Sequence, residues 1–215
     1  IRNFINQKIG DQIAVAKSGN PALIRMKMNS LSDKQIIAHL YDAAANGVKV
    51  QLLVRGITCL RNDLPELHGN IEVHSIVGRF LEHSRIYYFE SNGHEEIYLA
   101  SADMMTRNLN RRVEELYPVT QADTKARAIQ IFDIMWRDNV KTRVLEGDHY
   151  ERLDCDGAAP FNSQEYFVQE AVRLNKQDNK QQKARRHFPN VFETLSKHVP
   201  SLHLKEKDDA NGKDD

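Results

Sequence analysis

The sequence has few cysteines and no long apolar run, and each shortage excludes a class of protein. Its 215 residues include only two cysteines, Cys59 and Cys155, which form no CxxC pair. A disulfide framework is therefore not expected, and a cytoplasmic location fits this composition, with peripheral association with a membrane surface left open. Because no run of about 18 apolar residues occurs, we predict no membrane span.

An excess of charge of one sign is also missing. Thirty basic residues balance thirty acidic residues, which argues against a general nucleic-acid binder but leaves room for a local basic site. The nine histidines form no HxxxH or HExxH pattern, so no zinc site is expected. The absence of GxxxxGKS/T and GxGxxG motifs argues against a P-loop or Rossmann nucleotide site.

The order of predicted elements indicates an α/β fold. Apolar spacing predicts a helix over residues 1–17, and Ser32 with Gln35 forms a capping box that places the Ser32 hydroxyl at the start of a second helix. Each helix is followed by a β-rich segment, so we expect those two strands to pair in parallel. The predicted strands cover residues 22–28, 48–54, 71–76, 85–89 and 96–100, with a hairpin turn at 92–93, and a later helix covers 123–139.

Composition divides the chain into three predicted parts. Residues 1–147 form the α/β domain, and residues 148–204 form a helical and irregular extension in which 148–163 is a loop and 164–174 a helix. Residues 205–215 are a charged tail that we predict to be disordered. The chain starts at Ile1 within a helical pattern and without a signal peptide, so we expect a piece of a longer protein.

One interval of the chain uses arginine and no lysine. Seven arginines lie between Arg55 and Arg112, although lysine is common elsewhere. Arginine suits planar, bidentate recognition of phosphate or carboxylate and keeps its charge when partly desolvated. An equally good interpretation is structural ion pairing with the acidic residues of the same interval, which are Glu82, Glu90, Glu114 and Glu115.

The segment before the strand at 85–89 carries the strongest candidate for chemistry. His83 and Arg85 are two residues apart, so at a strand end they point to the same side, and Arg79 lies just upstream. Histidine shuttles protons and accepts phosphoryl groups, and the arginines would hold a phosphate against it. A lone histidine near a strand is nevertheless more often structural. Arg55 directly follows a buried strand, where ligands of open α/β sheets bind.

Polar residues after the strand at 96–100 are expected to emerge at the same end of the sheet. Asp103 is expected to orient His83 or bind a cation, and Ser101 supports the site or caps a turn. Arg107 follows a few residues later and is a candidate phosphate ligand. The predicted phosphate-binding set is therefore Arg55, Arg79, His83, Arg85 and Arg107.

Four sequence blocks resemble the last domain of bacterial polyphosphate kinase. They are KMNSLSDKQII from Lys27, LLVRGITCL from Leu52, SIVGRFLEHSRIYYFE from Ser75 and YLASADMMTRNLNRRVE from Tyr98, and the similarity runs from residue 1 to about 144. The resemblance implies a phospholipase D-like fold with a mixed sheet flanked by helices. His83, Arg85 and Glu90 stand at the spacing of that superfamily's His-x-Lys-x4-Asp motif, with Arg for Lys and Glu for Asp.

The resemblance also implies a function and a division of labour. Such an enzyme transfers the terminal phosphoryl of ATP reversibly to inorganic polyphosphate through a phosphohistidine, which here would lie in a domain outside the chain. Arg55 matches the arginine that contacts the nucleotide, His83 matches a second histidine, and Glu90 takes a supporting place. The implied partners are ATP or ADP, polyphosphate and the missing domains, in a homo-oligomer, with Mg²⁺ held mostly by residues elsewhere.

Two other functions stay open at this point. A phospholipase D-like phosphodiesterase would be expected to keep the Lys and Asp that are replaced here by Arg85 and Glu90. A non-catalytic module that binds polyanions would explain the enrichment in arginine without any role for His83. Loss of binding on replacement of scattered arginines, with His83 indifferent, would favour the second.

Overall fold

The structure is a computed structural model that describes residues 1–155 and 157–185, with side chains described up to residue 177. The chain forms two compact units, Ile1–Phe167 and Val168–Asp215, and the sheet and the candidate site belong to the first. The predicted tail at 205–215 and the part of the predicted extension at 186–204 lie outside the described residues. No helix in the described part of the chain combines the length and apolarity needed to cross a bilayer.

The first unit is built on one mixed sheet of eight strands. Their spatial order is β6-β5-β4-β1-β2-β3-β7-β8, in which β1, β2 and β3 run parallel and every other pairing is antiparallel. The predicted mixed α/β sheet and the parallel pairing of its first two strands are confirmed. In chain order the strands are β1 Ala22–Met28, β2 Lys49–Val54, β3 Ile71–Ile76, β4 Ile86–Ser91, β5 His94–Ala100, β6 Leu116–Pro118, β7 Thr142–Glu146 and β8 His149–Arg152.

Helices cover both faces of the sheet. The described helices are α1 Arg2–Lys17, α2 Lys34–Ala45, α3 Thr106–Arg111, α4 Ala122–Trp136 and α5 Ser163–Arg185, with a 3-10 turn at Pro65–Leu67. Leu52 packs in the core formed with α1 and α2, whereas its neighbour Leu53 packs with Phe132 and Met135 of α4. Because adjacent strand residues point to opposite faces, β2 is buried on both sides, as its apolar, weakly alternating sequence predicts.

The start of α2 differs from the prediction. Asp33, not Ser32, is the N-cap, and its carboxylate accepts hydrogen bonds from the backbone N–H groups of Gln35 and Ile36. The backbone N–H groups of Ser32 and Asp33 both donate to the carbonyl of Met104, at 2.9 and 3.0 Å. These two bonds hold the backbone at Ser32 and Asp33 in place, so that the Asp33 carboxylate reaches the free amides at the start of the helix.

The region after Gly147 also differs from the prediction of a loop. Residues 142–146 and 149–152 form an antiparallel hairpin, and Gly147 has a φ of +66°, which favours glycine at its turn. The predicted boundary at residue 147 therefore falls inside a hairpin of the main sheet. Tyr150 is the only apolar residue of β8, so the strand gives almost no alternating pattern. Likewise α5 continues to Arg185 through a polar stretch without an apolar stripe.

Candidate functional site

Five strands have one of their ends at the same end of the sheet, which we call the rim. The parallel strands β1, β2 and β3 end there, β4 begins there and β5 ends there, because Ile86 pairs with Lys27 on one side and with Leu99 on the other. Residues that follow Met28, Val54 and Ala100, or precede Ile86, therefore meet at one place. The sequence-based expectation that Asp103 and His83 emerge at the same sheet end agrees with this arrangement.

A chain of hydrogen bonds joins Arg55 to His83 along the rim. Arg55 Nε donates to Asn29 Oδ1 at 3.0 Å, and the Asn29 backbone N–H donates to Asp103 Oδ1 at 2.7 Å. Arg85 donates to both oxygens of Asp103, each at 3.1 Å. Arg85 Nη1 donates to His83 Nδ1 at 3.0 Å and to the His83 carbonyl at 2.7 Å. We call these five residues the rim network.

The rim network determines which ring nitrogen of His83 is available to a ligand. A guanidinium has only donors, so Nδ1 of His83 accepts the bond from Arg85, and the proton of the neutral ring is on Nε2. The His83 side chain is exposed, whereas Arg55 and Arg85 are partly buried. The nitrogen that carries this proton therefore belongs to an exposed ring, at a rim whose network contains two guanidiniums and one carboxylate, that of Asp103, which pairs with Arg85. This arrangement attracts anions and presents a group able to exchange a proton.

Asp103 is the buried anchor of the network. Burial disfavours its charged form, but the hydrogen bonds from Arg85 and the Asn29 backbone outweigh that cost and lower the pKa of its carboxyl group. An ionised Asp103 gripped through both oxygens fixes the plane of the Arg85 guanidinium. Asp103 thus orients Arg85, and Arg85 in turn orients His83. Asp103 therefore acts on His83 only through Arg85.

A buried lysine lies next to the rim and was not identified from the sequence. Lys27 is only 2% exposed, and its Nζ donates to the Ser84 carbonyl at 3.1 Å and to Ser84 Oγ at 2.8 Å, with Glu82 Oε2 at 3.6 Å. Burial lowers the pKa of Lys27, Glu82 opposes that shift, and the guanidiniums of Arg85 and Arg55 add to it. A lysine among the alternating apolar residues of β1 was the available signal.

A small cavity shows that Arg55 and the segment before β4 lie close together. Its volume is about 10 Å³, and Lys27, Arg55 and Glu82 are among the residues that line it. Arg55 therefore faces the same space as the residues next to His83. This closeness, together with the hydrogen-bonded path, places the imidazole and the Arg55 guanidinium on one side of the molecule.

The remaining predicted arginines are near the rim without joining its network. Arg79 is exposed, and its guanidinium lies 5.3 Å from the ring centroid of Phe80. Arg107 is exposed on α3, which begins three residues after Asp103, and its side chain makes no hydrogen bond or ion pair with the side chains described up to residue 177 or with the described backbone. Both remain candidate phosphate ligands that the structure does not hold in place.

Two predicted supporting residues do not join the rim network. Ser101 Oγ donates to Glu114 and accepts a bond from the Glu115 backbone N–H at 2.9 Å, which is the turn-capping alternative. Glu90 lies near the far end of β4, where it accepts a hydrogen bond from the Tyr88 hydroxyl at 2.9 Å. The structure therefore does not bring the Glu90 side chain to the rim, because four strand residues separate it from Arg85.

The described residues do not fit a magnesium site. Among them, no group of three or more His, Cys, Asp or Glu side chains is placed to hold a metal ion. The carboxylate in the rim network is that of Asp103, and both its oxygens already accept bonds from Arg85. A cation bound to Asp103 would compete with those guanidinium bonds, so the rim network offers no free carboxylate to a magnesium ion.

An α/β domain whose rim holds two guanidiniums beside an exposed imidazole defines a class of protein suited to oxyanion chemistry. Comparison with known proteins identifies the family within that class. Residues 1–164 match the family model described as "Polyphosphate kinase C-terminal domain 2". The chain therefore belongs to the polyphosphate kinase family, and the resemblance stated from the sequence blocks is confirmed.

Individual relatives agree with the family model. The chain is 57% identical over 180 residues to a polyphosphate kinase of Lactiplantibacillus plantarum, covering 83% of this chain and 25% of that protein. It is 46% identical over 178 residues to a polyphosphate kinase of Staphylococcus haemolyticus, covering 82% and 24%. The crystal structure of polyphosphate kinase from Porphyromonas gingivalis matches with a TM-score of 0.76 at 34% identity, covering 82% of this chain and 27% of that one. The chain thus spans about a quarter of the relatives' length.

Proposed function

We propose that this chain supplies the nucleotide- and phosphate-binding half of an active site that transfers the terminal phosphoryl of ATP reversibly to inorganic polyphosphate. Arg55 neutralises charge on the transferring or leaving phosphates, and Arg85 holds His83 in place. His83 acts as a proton donor, a proton acceptor or a hydrogen-bond partner to the phosphoryl group. Arg79 and Arg107 provide further contacts to the phosphate chain. Preorganised positive charge of this kind is the principal catalytic contribution in phosphoryl transfer.

The nucleophile belongs to another domain of the same polypeptide. A histidine there attacks the terminal phosphorus of ATP, ADP leaves, and the phosphohistidine then passes its phosphoryl to the end of a polyphosphate chain. Magnesium serves this reaction through ligands mostly outside the chain. We also propose that the full enzyme is a cytoplasmic homo-oligomer. Family membership at up to 57% identity supports the assignment of polyphosphate kinase activity to the whole polypeptide.

The observation that carries the proposal is the rim network. It brings Arg55 and His83, which are 28 positions apart in the sequence, to one edge of the sheet through Asn29, Asp103 and Arg85. A merely structural arginine would bury its charge against a carboxylate of its own. Here the Arg55 Nε instead donates to the neutral amide of Asn29, which leaves its positive charge available to an anion.

Replacement of the two key residues in the full-length polypeptide tests the proposal. We expect Arg55→Ala and His83→Ala each to lower ATP-dependent polyphosphate synthesis by about 10²–10³-fold, the usual effect of removing one preorganised donor. The matched control is His39→Ala on α2, whose side chain is exposed and takes no part in the rim network. Near-wild-type synthesis in either rim variant would remove that residue from the mechanism.

The isolated chain provides a second test. Half of the proposed site is missing from it, and the advantage of holding nucleophile and phosphate together is lost. We therefore expect no polyphosphate synthesis by the 215-residue chain, although it binds nucleotide or polyphosphate weakly. ATP-dependent chain growth by the isolated chain would overturn the division of the site between two domains.

A further inference from the structure

The segment that carries His83 has little apolar packing of its own. This segment, which we call the His83 loop, comprises residues 77–85 between β3 and β4 and has no regular secondary structure. Its large apolar side chains point into solvent, with Val77 66%, Phe80 47% and Leu81 67% exposed. Hydrophobic burial by the loop's own side chains therefore does not explain why the loop keeps a fixed conformation.

Two buried polar side chains hold the loop instead. The Gln164 amide accepts a bond from the Phe80 backbone N–H at 3.0 Å and donates to the Phe80 carbonyl at 2.8 Å and to Glu82 Oε1 at 2.9 Å. Lys27 donates to Ser84 and lies 3.6 Å from Glu82 Oε2. Glu82, immediately before His83, is thus the point where the two buried side chains meet.

The backbone of the loop is shaped around the Gln164 amide. Gln164 is 5% exposed, and a Cβ added at Gly78 would lie 2.3 Å from its Oε1 and 2.8 Å from its Cδ. A side chain at position 78 would therefore displace the amide from Phe80 and Glu82. The absence of a Cβ at Gly78 allows the amide to pair with the Phe80 backbone in the manner of a neighbouring strand.

We propose that Glu82 and Gln164 are positioning residues that fix the His83 loop, and with it the imidazole, against the rim. Directional hydrogen bonds in a buried setting restrict the loop more tightly than apolar contact would, because an unmade bond leaves a desolvated polar group. The proposal rests on the proposed role of His83. It also gives residues at the start of α5, after the predicted boundary at 147, a part in the active site.

Exchange of amide and carboxylate tests this pair in the full-length polypeptide. Gln164→Glu has almost the same size but loses the donor and repels Glu82, so we expect kcat to fall by about 10- to 10²-fold, because small misplacements of catalytic groups have effects of that order. KM for ATP should stay unchanged. The double variant Glu82→Gln/Gln164→Glu restores a donor opposite an acceptor and should recover part of kcat. Gln169→Glu, exposed on the same helix, is the matched control.

Limited proteolysis gives a readout that does not depend on activity. Arg79 is an exposed trypsin site within the loop, so loosening of the loop in Gln164→Glu or in the milder Gln164→Ala should speed cleavage after Arg79. Gln169→Glu should leave this rate unchanged. Thermal unfolding recorded in parallel identifies any variant that has lost the fold. If Gln164→Glu does not fold, Gln164→Ala is compared with Gln169→Glu in its place.

A cycle with His83→Ala separates failure of this inference from failure of the proposed function. If the pair acts through His83, Gln164→Glu should reduce kcat little further in the His83→Ala background. One outcome would overturn the positioning role alone. In it, His83→Ala strongly lowers kcat, but Gln164→Glu has the same kcat and the same cleavage rate as Gln169→Glu. Near-wild-type kcat in His83→Ala would overturn the proposed function, whatever Gln164→Glu does.

Discussion

The two ends of strand β4 use charge in opposite ways. At the rim, the Arg85 guanidinium pairs with the carboxylate of Asp103 beside an exposed imidazole, and the Arg55 guanidinium donates to the neutral amide of Asn29. At the other end, Glu90 pairs with Glu95 across the hairpin, and the Tyr88 hydroxyl lies 2.9 Å from a carboxylate oxygen of each. One end of the sheet is therefore suited to anions and the other repels them.

The hairpin end shows what structural pairing looks like in this molecule. Lys8 donates to both oxygens of Glu96, at 2.9 and 2.8 Å, so each charge is matched by its own partner. The Tyr88 hydroxyl is buried and bonded to two carboxylates, which raises the pKa of its phenol. At the rim, by contrast, positive charge exceeds negative charge and a titratable ring is left open. That imbalance, rather than the mere presence of arginine, distinguishes a binding site from a structural network.

The largest expected difference between the two ends is catalytic. Arg85→Lys keeps the charge but loses the planar grip on Asp103 and the bond to His83, so we expect the rate of polyphosphate synthesis to fall by about 10²-fold. His94→Ala, at the hairpin end, should leave the rate near that of the wild type. Steady-state assays of the two full-length variants measure this contrast. Equal rates in both would mean that the two ends do not differ in function.

Stability should also differ between the ends, by a smaller margin. Asp103→Ala leaves Arg85 partly buried without its carboxylate, and we expect a loss of about 3 kcal/mol in the free energy of unfolding. Glu96→Ala breaks the more accessible pair with Lys8 and should cost about 1 kcal/mol or less. Urea denaturation of the 215-residue chain measures both values. A cost for Glu96→Ala as large as that for Asp103→Ala would contradict the comparison.

Acid should weaken the rim through Asp103. The pKa of this carboxyl group is lower in the folded chain than its ordinary value of 3.8, so its stabilising effect is complete above that value and is lost as pH falls through the lower folded pKa. The difference between the denaturation midpoints of the wild type and Asp103→Asn, measured from pH 7 to pH 3, should shrink as the pH falls below 4. A difference between them that stays constant below pH 4 would refute this role.

The smallest expected effect concerns the hydroxyl at the hairpin end. Tyr88→Phe removes one donor shared by Glu90 and Glu95, and we expect a loss of about 1 kcal/mol in stability with no change in polyphosphate synthesis. Tyr117→Phe, on the exposed edge strand β6, is the control. A drop in activity in Tyr88→Phe without a matching loss of stability would show that Glu90 takes part in the site after all.

The sequence predicted the elements whose residues carry a clear period or a long apolar run. The strands from β1 to β5 and the helix α1 are of that kind, and their order indicated an α/β fold whose first two strands pair in parallel. The short elements α3, β6, β7 and β8 were not predicted, and neither was the polar half of α5, which shows no apolar stripe. Element order alone was enough to place Asp103 at the same sheet end as His83.

The contacts within the site were less accessible to sequence reasoning. Arg85 and Asp103 were identified as site residues, but their bidentate pairing depends on the register of β4 and β5. Lys27 and Gln164 are separated from the His83 loop by 50 or more positions, so no local pattern links them to it. Glu90 was proposed from motif spacing, although the predicted strand at 85–89 separates it from Arg85 and puts it at the opposite strand end.

The most direct test is a calorimetric titration of the 215-residue chain with tripolyphosphate, for the wild type, Arg55→Ala, His83→Ala and the double variant. If the guanidinium and the imidazole contact the same anion, each single change should weaken binding, and the double variant should deviate from additivity, while His39→Ala binds like the wild type. Wild-type affinity in both single variants would contradict the existence of a shared anion site at the rim.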